Sequence, residues 1–450
     1  MNLSTVEQPA LESEIEELEG RYSSSNPRSR MQLSMARRVL PGGNTRVALY
    51  YDPFPVSIES AEGSRVIDVD GHSYIDFTND LTAGFYGHSN PFIVAAIRGA
   101  LDNGISFGGP HRHEEALAET ICSRFSSIER VRFCNSGTEA NLMAMGLARA
   151  ITGRPLVLAF LGGYHGSFAN YLDVKTPLNV DKSWLRFAQF NDEEDVRRVI
   201  EEDGAQIAAI IVEPMMGSGG GILARPGFLT ALRAIADECG ALLIFDEVQT
   251  ARFFPGGLQD QVRVRADFTT LGKSLGGGLT FGAFGGRADL MDRLDPSRPG
   301  AIGHGGTFNN NVLTMIAGQA GLTKVATAEA LHAANTRGDW LRRSLLSAAG
   351  ERGVVLSIGA FGSILSLHFQ PIAPRNPAEI ATTPAQRKLF HLDMLLRGFY
   401  VQRRGTINLS LAMTDEDCSA FTEAFVGLLD RYSAFLPGDN TRCKDGSHGS

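Results

Sequence analysis

Cysteine is scarce in this sequence. Five residues in 450 (Cys122, Cys134, Cys239, Cys418 and Cys443) are too few and too widely spaced for a disulfide framework, and no CxxC pair with histidine suggests a zinc site. Reduced thiols in a cytoplasmic protein without a metal centre are the expectation. Positive charge is not in excess either. Lys plus Arg total 42 against 50 Asp plus Glu, a net charge of -8, so a nucleic-acid backbone is not the expected partner. No run of about 18 apolar residues is present to cross a bilayer. The N-terminus, MNLSTVEQPALESEIEELEG, is acidic and lacks both the basic and the apolar segment of a secretory signal. Neither export nor a membrane span is expected.

Apolar residues make up 43% of the chain and charged residues 20%, which suits a large packed core. Glycine is abundant, 50 residues, and implies many sharp turns or close approaches of backbone to a ligand. Residues 10–40 read as a helical arm that stops at Pro41-Gly42-Gly43, and residues 55–78 alternate around two turn signals as a small antiparallel meander. From about 92 to 290 short apolar runs (RVRFC, LVLAF, IAAIIV, LLIFD, DFTTLG and FGAFGG) alternate with helical stretches. That pattern predicts an α/β fold with a mostly parallel sheet covered on both faces. A long helix is expected over about 312–350, then a smaller α/β portion. The expected division is 1–78 (arm and meander), 79–320 (large domain), 321–436 (small domain) and a disordered tail, 437–450.

In such sheets ligands bind beyond the carboxyl ends of the strands, where the polar residues of this sequence collect. Lys273 follows the run FTTLG and precedes Gly276-Gly277-Gly278; a lysine there is either a solvated loop residue or a desolvated amine suited to carbonyl chemistry. Asp246 ends LLIFD, and a strand-terminal carboxylate equally fits a metal, a helix cap or a structural hydrogen bond. Together, a lysine for a Schiff base and an acid for a pyridinium nitrogen fit pyridoxal phosphate. Ser136-Gly137-Thr138 opens a helix after RVRFC, as an anion site on amides and hydroxyls or, for Ser136, as an N-cap. Tyr164, after LVLAF, offers a ring for stacking or belongs to a packed turn, with His165 beside it as ligand contact or support.

Five ordered segments, Ser136-Gly137-Thr138-Glu139-Ala140, Gly163-Tyr164-His165-Gly166, Val212-Glu213-Pro214, Phe245-Asp246-Glu247-Val248 and Leu271-Gly272-Lys273, resemble the class III pyridoxal phosphate-dependent aminotransferases of fold type I, a family that includes glutamate-1-semialdehyde aminomutase. The likeness runs from about Pro41 through the C-terminal portion. It implies that Lys273 holds the cofactor as a Schiff base and shuttles a proton, and that Asp246 keeps the ring nitrogen protonated. By the same resemblance Val248 and Tyr164 cover the two ring faces, Ser136, Gly137 and Thr138 bind the phosphate, and Glu213 supports the ring. Thr307, in Gly306-Thr307-Phe308-Asn309, would reach the phosphate of a partner subunit, which implies a homodimer with shared sites. The reaction implied moves an amino group from an amino donor to a 2-oxo acid.

Within the family the chain is similar to the β-amino acid, or β-phenylalanine, aminotransferases through Pro41-Gly42-Gly43-Asn44-Thr45-Arg46, the segment 50–55, Leu81-Thr82-Ala83-Gly84 and Thr307-Phe308-Asn309-Asn310-Asn311. The similarity implies that Arg46 binds the carboxylate of a β-amino acid and that Arg404 receives the carboxylate of the acceptor. Arg403 replaces a proline of those relatives, a departure that bears on acceptor and donor range. Met216, Gln249 and the segment Phe107–Arg112 also depart from the relatives and are expected in pocket walls. Phe85, Tyr86 and Tyr50 suit an aryl side chain or core packing alike. The alternative activities are the aminomutase, an isomerase needing no external acceptor, and an amine transaminase with a donor lacking a carboxylate. A non-enzymatic descendant is disfavoured because Lys273 and Asp246 are both present.

Overall fold

A computed structural model describes residues 7–172 and 182–438. The expected disordered tail from 439 onward, with Cys443, lies outside the described residues, whereas Pro437 and Gly438 are ordered against Val354 and Val355. Among the described residues all four cysteines are free, no cluster of metal-ligating side chains occurs, and no helix is long and apolar enough to cross a membrane.

The centre is a seven-stranded sheet. Its strands in chain order are β1 (Arg130–Cys134), β2 (Leu156–Phe160), β3 (Leu185–Ala188), β4 (Ile207–Val212), β5 (Leu242–Asp246), β6 (Phe268–Gly272) and β7 (Gly282–Gly286). They lie side by side as β1-β7-β6-β5-β4-β2-β3, and only β7 runs antiparallel to its neighbours. Alternation explains the two covered faces. Leu156, Leu158 and Phe160 of β2 pack into a core with the helix Phe228–Cys239, while Val157 and Ala159 turn to the other face and pack with the helix Gly137–Thr152.

A second body joins both ends of the chain. The expected meander forms as Ile58–Glu62, Arg65–Asp68 and Ser73–Asp76, and Phe399–Tyr400 adds to it in parallel beside Ser73–Asp76. One core cluster takes residues from Leu11 to Phe77 and from Leu341 to Leu436, including Leu18, Phe77, Phe421 and Tyr432. The N-terminal arm is two helices, Glu7–Ser25 and Pro27–Ala36. The expected single helix over 312–350 is instead two, Val312–Ala320 and Ala328–Glu351, separated by a π-helical turn at Gly321–Val325. The break has a local cause, because the Thr327 hydroxyl accepts from the Ala330 amide and caps a new helix.

Candidate active site

The C-terminal edges of the parallel strands put the chemistry in one place. Gly137 and Thr138 follow β1, Tyr164 and His165 follow β2, Glu213 follows β4, Asp246 closes β5 and Lys273 follows β6; all line one cavity of about 160 Å³. Val248 and Gln249 line it too, as do Asn141, Gly166 and Ser218.

Asp246 is almost fully buried, and three donors hold its carboxylate. Oδ2 accepts from Asn141 Nδ2 at 2.7 Å and contacts His165 Nδ1 at 2.7 Å, while Oδ1 accepts from the Val248 amide at 3.0 Å. Burial alone would lower the His165 pKa, but the hydrogen bond to Asp246, its charge and that of Glu213 raise it instead, favouring an imidazolium–carboxylate pair. Asn141 is fixed in turn by the Thr270 hydroxyl, which donates to Asn141 Oδ1 at 2.6 Å. Glu213 accepts from the amides of Tyr164 (3.0 Å) and Gly217 (3.1 Å), and burial pushes its pKa up.

Lys273 stands at a positive φ of 52° directly after β6, and its Nζ donates to the Leu81 carbonyl at 2.9 Å. Burial lowers its pKa against the opposing pull of Asp246, Glu213 and Asp80. The Leu81 partner belongs to an unusual turn: Asn79, Asp80, Leu81 and Thr82 are four consecutive non-glycine residues at φ of 44–78°. Each such residue costs about 1–3 kcal/mol, so surrounding bonds must impose the turn. Asp76 does so, with Oδ1 accepting from the Thr78 and Asn79 amides and Oδ2 contacting His88 Nε2 at 2.8 Å.

The anion end of the cavity is the start of the helix Gly137–Thr152. Ser136 is its N-cap, accepting from the Glu139 amide at 3.2 Å, and is not among the residues lining the cavity. Gly137 and Thr138 line the cavity, and their first-turn amides have no intrahelical acceptor by helix geometry. Close packing here depends on glycine. A Cβ on Gly166, at φ +116°, would meet the Thr138 side chain at 2.3 Å, and one on Gly137 would press within 2.9 Å of the Val248 methyls. Amine, buried carboxylate and amide-lined anion site together are the donor set that pyridoxal phosphate requires, so the residues present fit it.

Other expected site residues lie elsewhere. Arg46 is exposed and ion-paired with Asp80 in an adjoining cleft of about 520 Å³ that Tyr86 also lines. Arg404 is at the surface, its Nη1 donating to the carbonyl of Ser218 at 3.4 Å, and Thr307 is exposed away from the cavity of its own chain. Two pocket-wall expectations are corrected. Met216 is buried in the hydrophobic core behind β4, and Phe107, His111 and Arg112 line a separate apolar cavity of about 890 Å³. Gln249 alone of these departures reaches the cavity. Phe85 packs under the Arg252 guanidinium at 3.9 Å from its ring centre, a core role, and Tyr50 accepts from Arg37 at the surface. Asn141 and Thr270 escaped the sequence reading, since a polar residue within a helix or strand carries no local mark of being a carboxylate's partner.

A sheet of this topology with a lysine, an acid and an amide-lined anion site at its strand ends defines a fold type I pyridoxal phosphate enzyme. The chain belongs to the class-III aminotransferase family, whose profile matches residues 47–429. It is 44% identical over 421 residues to a β-phenylalanine transaminase of Variovorax paradoxus, covering 93% of this chain and 96% of that one. The crystal structure of the β-phenylalanine aminotransferase from Variovorax paradoxus superposes with a TM-score of 0.93 at 42% identity, over 96% of this chain and all of that one. A glutamate-1-semialdehyde 2,1-aminomutase of Syntrophomonas wolfei is 37% identical over 383 residues, 81% of this chain and 88% of that one. A transaminase structure with the cofactor bound is 32% identical, with a TM-score of 0.84 over 90% of this chain and 98% of that one. The chain is thus a pyridoxal phosphate-dependent aminotransferase acting on an amino donor and a 2-oxo acid.

Proposed function

We propose that the protein transfers the amino group of a β-amino acid with an aromatic or apolar side chain to a 2-oxo acid, working as a cytoplasmic homodimer. The observation that carries this reading is the convergence of Lys273, Asp246 and the Gly137–Thr138 amides on one cavity, next to a cleft holding Arg46. When bound, pyridoxal phosphate supplies an aldehyde and an electron-withdrawing ring that stabilises negative charge at the carbon bearing the nitrogen. Lys273 would hold the cofactor through its aldehyde and, when free, would carry the proton at the reacting carbon. Asp246, oriented by Asn141 and His165, would pair with the ring nitrogen and favour its protonated form. Gly137 and Thr138, with Ser136 ordering their helix turn, would take the phosphate, Val248 and Tyr164 would enclose the ring, and Glu213 holds the Tyr164 backbone in place. The chain divides, on this reading, into 1–78, 79–320 and 321–436.

Arg46 takes the donor carboxylate. Its present partner Asp80 is an exposed side chain, and an exposed pair is worth only about 0–1 kcal/mol, so a substrate carboxylate displaces it at little cost. A charge-assisted hydrogen bond contributes about 1.5–3 kcal/mol. Arg46→Ala is therefore expected to raise KM for β-phenylalanine by about 10- to 100-fold, with a far smaller effect on a benzylic amine lacking the carboxylate. Equal effects on both donors, in steady-state kinetics, would remove Arg46 from this role.

Phe92 and Phe107, both exposed, line the apolar cavity of about 890 Å³, and Leu101, Ile105 and Phe308 are exposed as well, which suits burial against a second copy that brings Thr307 to the phosphate site. Light scattering should return a dimer; a monomer that retains full activity would refute the shared site. The overall reading is tested by the absorbance spectrum of the purified enzyme before and after racemic β-phenylalanine, with 2-oxoglutarate or pyruvate then supplied. The cofactor band should convert and the acceptor restore it. Isomerisation of glutamate-1-semialdehyde, with no response to external acceptors, would select the aminomutase instead.

The lowered pKa of Lys273 gives a further expectation. Only a neutral amine attacks the cofactor aldehyde, and a depressed pKa supplies that form at lower pH than the ordinary lysine value of about 10.4. The rate at which cofactor-free protein takes up pyridoxal phosphate should rise with pH and level off below that value. A stopped-flow rate still climbing through the ordinary lysine range would contradict the assignment.

A further inference from the structure

Among the described residues one arginine is buried outright. Arg252, 3% exposed, ends the short helical turn Thr250–Arg252, which lies against the strands Ile364–His368 and Thr406–Asn408 of the second body. Its guanidinium carbon sits 3.9 Å from the centre of the Phe85 ring, Nε donates to the Ser363 hydroxyl at 3.3 Å, and Nη2 donates to the Leu409 carbonyl. Nη1 has no hydrogen-bond partner, and among the described residues no carboxylate pairs with the group. Arg233 and Arg287, though less buried, each hold two carboxylates. Burial lowers the pKa of Arg252 to about 9, so the group is cationic through the neutral range. A buried charge without a counter-ion is costly, and two neutral acceptors with one aromatic face offset only part of that cost. The charge itself therefore calls for a use.

The chemistry nearest to it is Lys273. Strands β5 and β6 are neighbours in the sheet, with Asp246 opposite Thr270; Arg252 comes shortly after the end of β5 and Lys273 directly after the end of β6. Ala251 shares one core cluster with Leu271 and Leu275, which flank Lys273 in the chain. Both cations also engage one segment, since Lys273 Nζ donates to the Leu81 carbonyl and the ring under the guanidinium is Phe85, four residues on. The charged groups acting on Lys273 are Asp246, Glu213 and Asp80, which favour its proton, and Arg252, which opposes it. Arg252 is not among the residues lining the cofactor cavity, so its influence on the reaction passes through the lysine rather than through contact.

We propose that Arg252 is a positioning residue for amino transfer, whose unpaired charge, fixed over Phe85 outside the cofactor cavity, keeps the Lys273 amine free of a proton against the three carboxylates around it. This rests on the reading of Lys273 as the cofactor lysine. Both duties of that lysine need a free lone pair. To take up the cofactor, the nitrogen adds to the aldehyde carbon, and its two protons leave with the aldehyde oxygen as water; to move a substrate proton, the amine must start as the neutral base. Burial favours the neutral amine and the carboxylates oppose it, so a fixed cation tips the balance without occupying any of the space substrate needs. Arginine suits the position because it keeps its charge where a buried lysine readily loses its own.

The test measures, by stopped-flow absorbance across pH, how fast cofactor-free protein takes up pyridoxal phosphate covalently. The variants are Arg252→Met and, where methionine does not fold, Arg252→Gln, which keeps an NH2 donor for the Leu409 carbonyl. Loss of the charge should move the midpoint of the rise upward by about half to one pH unit, so that the rate on the rising limb falls about three- to tenfold while the plateau at high pH is unchanged. Ser363→Ala removes a contact of the same guanidinium but keeps its charge, and its midpoint should stay with that of the unaltered protein. An unmoved midpoint in the charge-free variant, a plateau that falls at a fixed midpoint, or a shift that Ser363→Ala reproduces would overturn the proposal and leave Arg252 as a packing contact. Covalent uptake through Lys273 with a midpoint indifferent to Arg252 sinks this inference alone. A covalent link, trapped with borohydride, that persists in Lys273→Ala sinks the reading of Lys273 on which it rests.

Discussion

Lys273→Ala protein no longer retains pyridoxal phosphate through gel filtration, and its amino-transfer rate falls by at least about a thousandfold, the range expected when a positioned proton carrier is removed. The expectation follows from the site's construction. Lys273 Nζ is the one amine lining the cavity, and its protein contact is the neutral carbonyl of Leu81 rather than an acid that would hold it protonated. Fold stability should change little. The lost hydrogen bond is worth about 1 kcal/mol, and the left-handed turn at Asn79–Thr82 is still imposed by Asp76 through its two amide contacts. Gly137, Thr138 and Asp246 remain, so the cofactor should still bind reversibly to the variant, and a small primary amine in the buffer should restore part of the rate. A variant that keeps its cofactor through gel filtration would place the covalent link on another residue.

Much of this arrangement can be read from the sequence, for identifiable reasons. All six apolar runs picked out between 130 and 286 are strands, because a strand covered on both faces must be apolar at nearly every position, and Leu156–Phe160 and Ile207–Val212 are buried throughout. Their polar terminators, Asp246, Glu213 and Lys273, mark the ligand edge for the same reason. Strand Leu185–Ala188 was not legible, being four residues with Arg186 inside, at the sheet's edge where one neighbour suffices. The break between Ala320 and Ala328 left only a threonine cap as its signature, inside a run of otherwise helix-favouring residues. The turn at Asn79–Thr82 left none. Positive φ ordinarily calls for glycine, and here the Asp76 carboxylate, accepting from the amides two and three residues on and touching His88, overrides residue preference. Partnerships such as Asn141 with Asp246, 105 residues apart, are tertiary facts that no spacing rule encodes.

Asp246→Asn tests the buried pair from both the catalytic and the thermodynamic side. An amide cannot replace this carboxylate without conflict: Asn141 Nδ2 and His165 Nδ1 point at Oδ2 and the Val248 amide points at Oδ1, so either amide orientation sets an NH2 group against a donor. Without the negative charge the ring nitrogen of the cofactor is no longer held protonated, and the transfer rate should fall by about a thousandfold, as when a preorganised electrostatic partner is deleted. The stability cost should depend on pH, and its sign follows from His165. In the unaltered protein the folded pKa of His165 lies above the ordinary value near 6.5, so the pair's contribution is fully present below that value and fades as pH rises through the folded pKa. In the variant the carboxylate is gone and burial prevails, so the folded pKa drops below the ordinary value. Protonation then favours the unfolded chain, and the variant gains stability as pH rises through that window. Melting temperatures of the two cofactor-free proteins should therefore differ most in mildly acidic buffer and converge in mildly alkaline buffer. A difference that stays constant or widens with pH would show that His165 is neutral in the unaltered site and that Asp246 is held by Asn141 and Val248 alone.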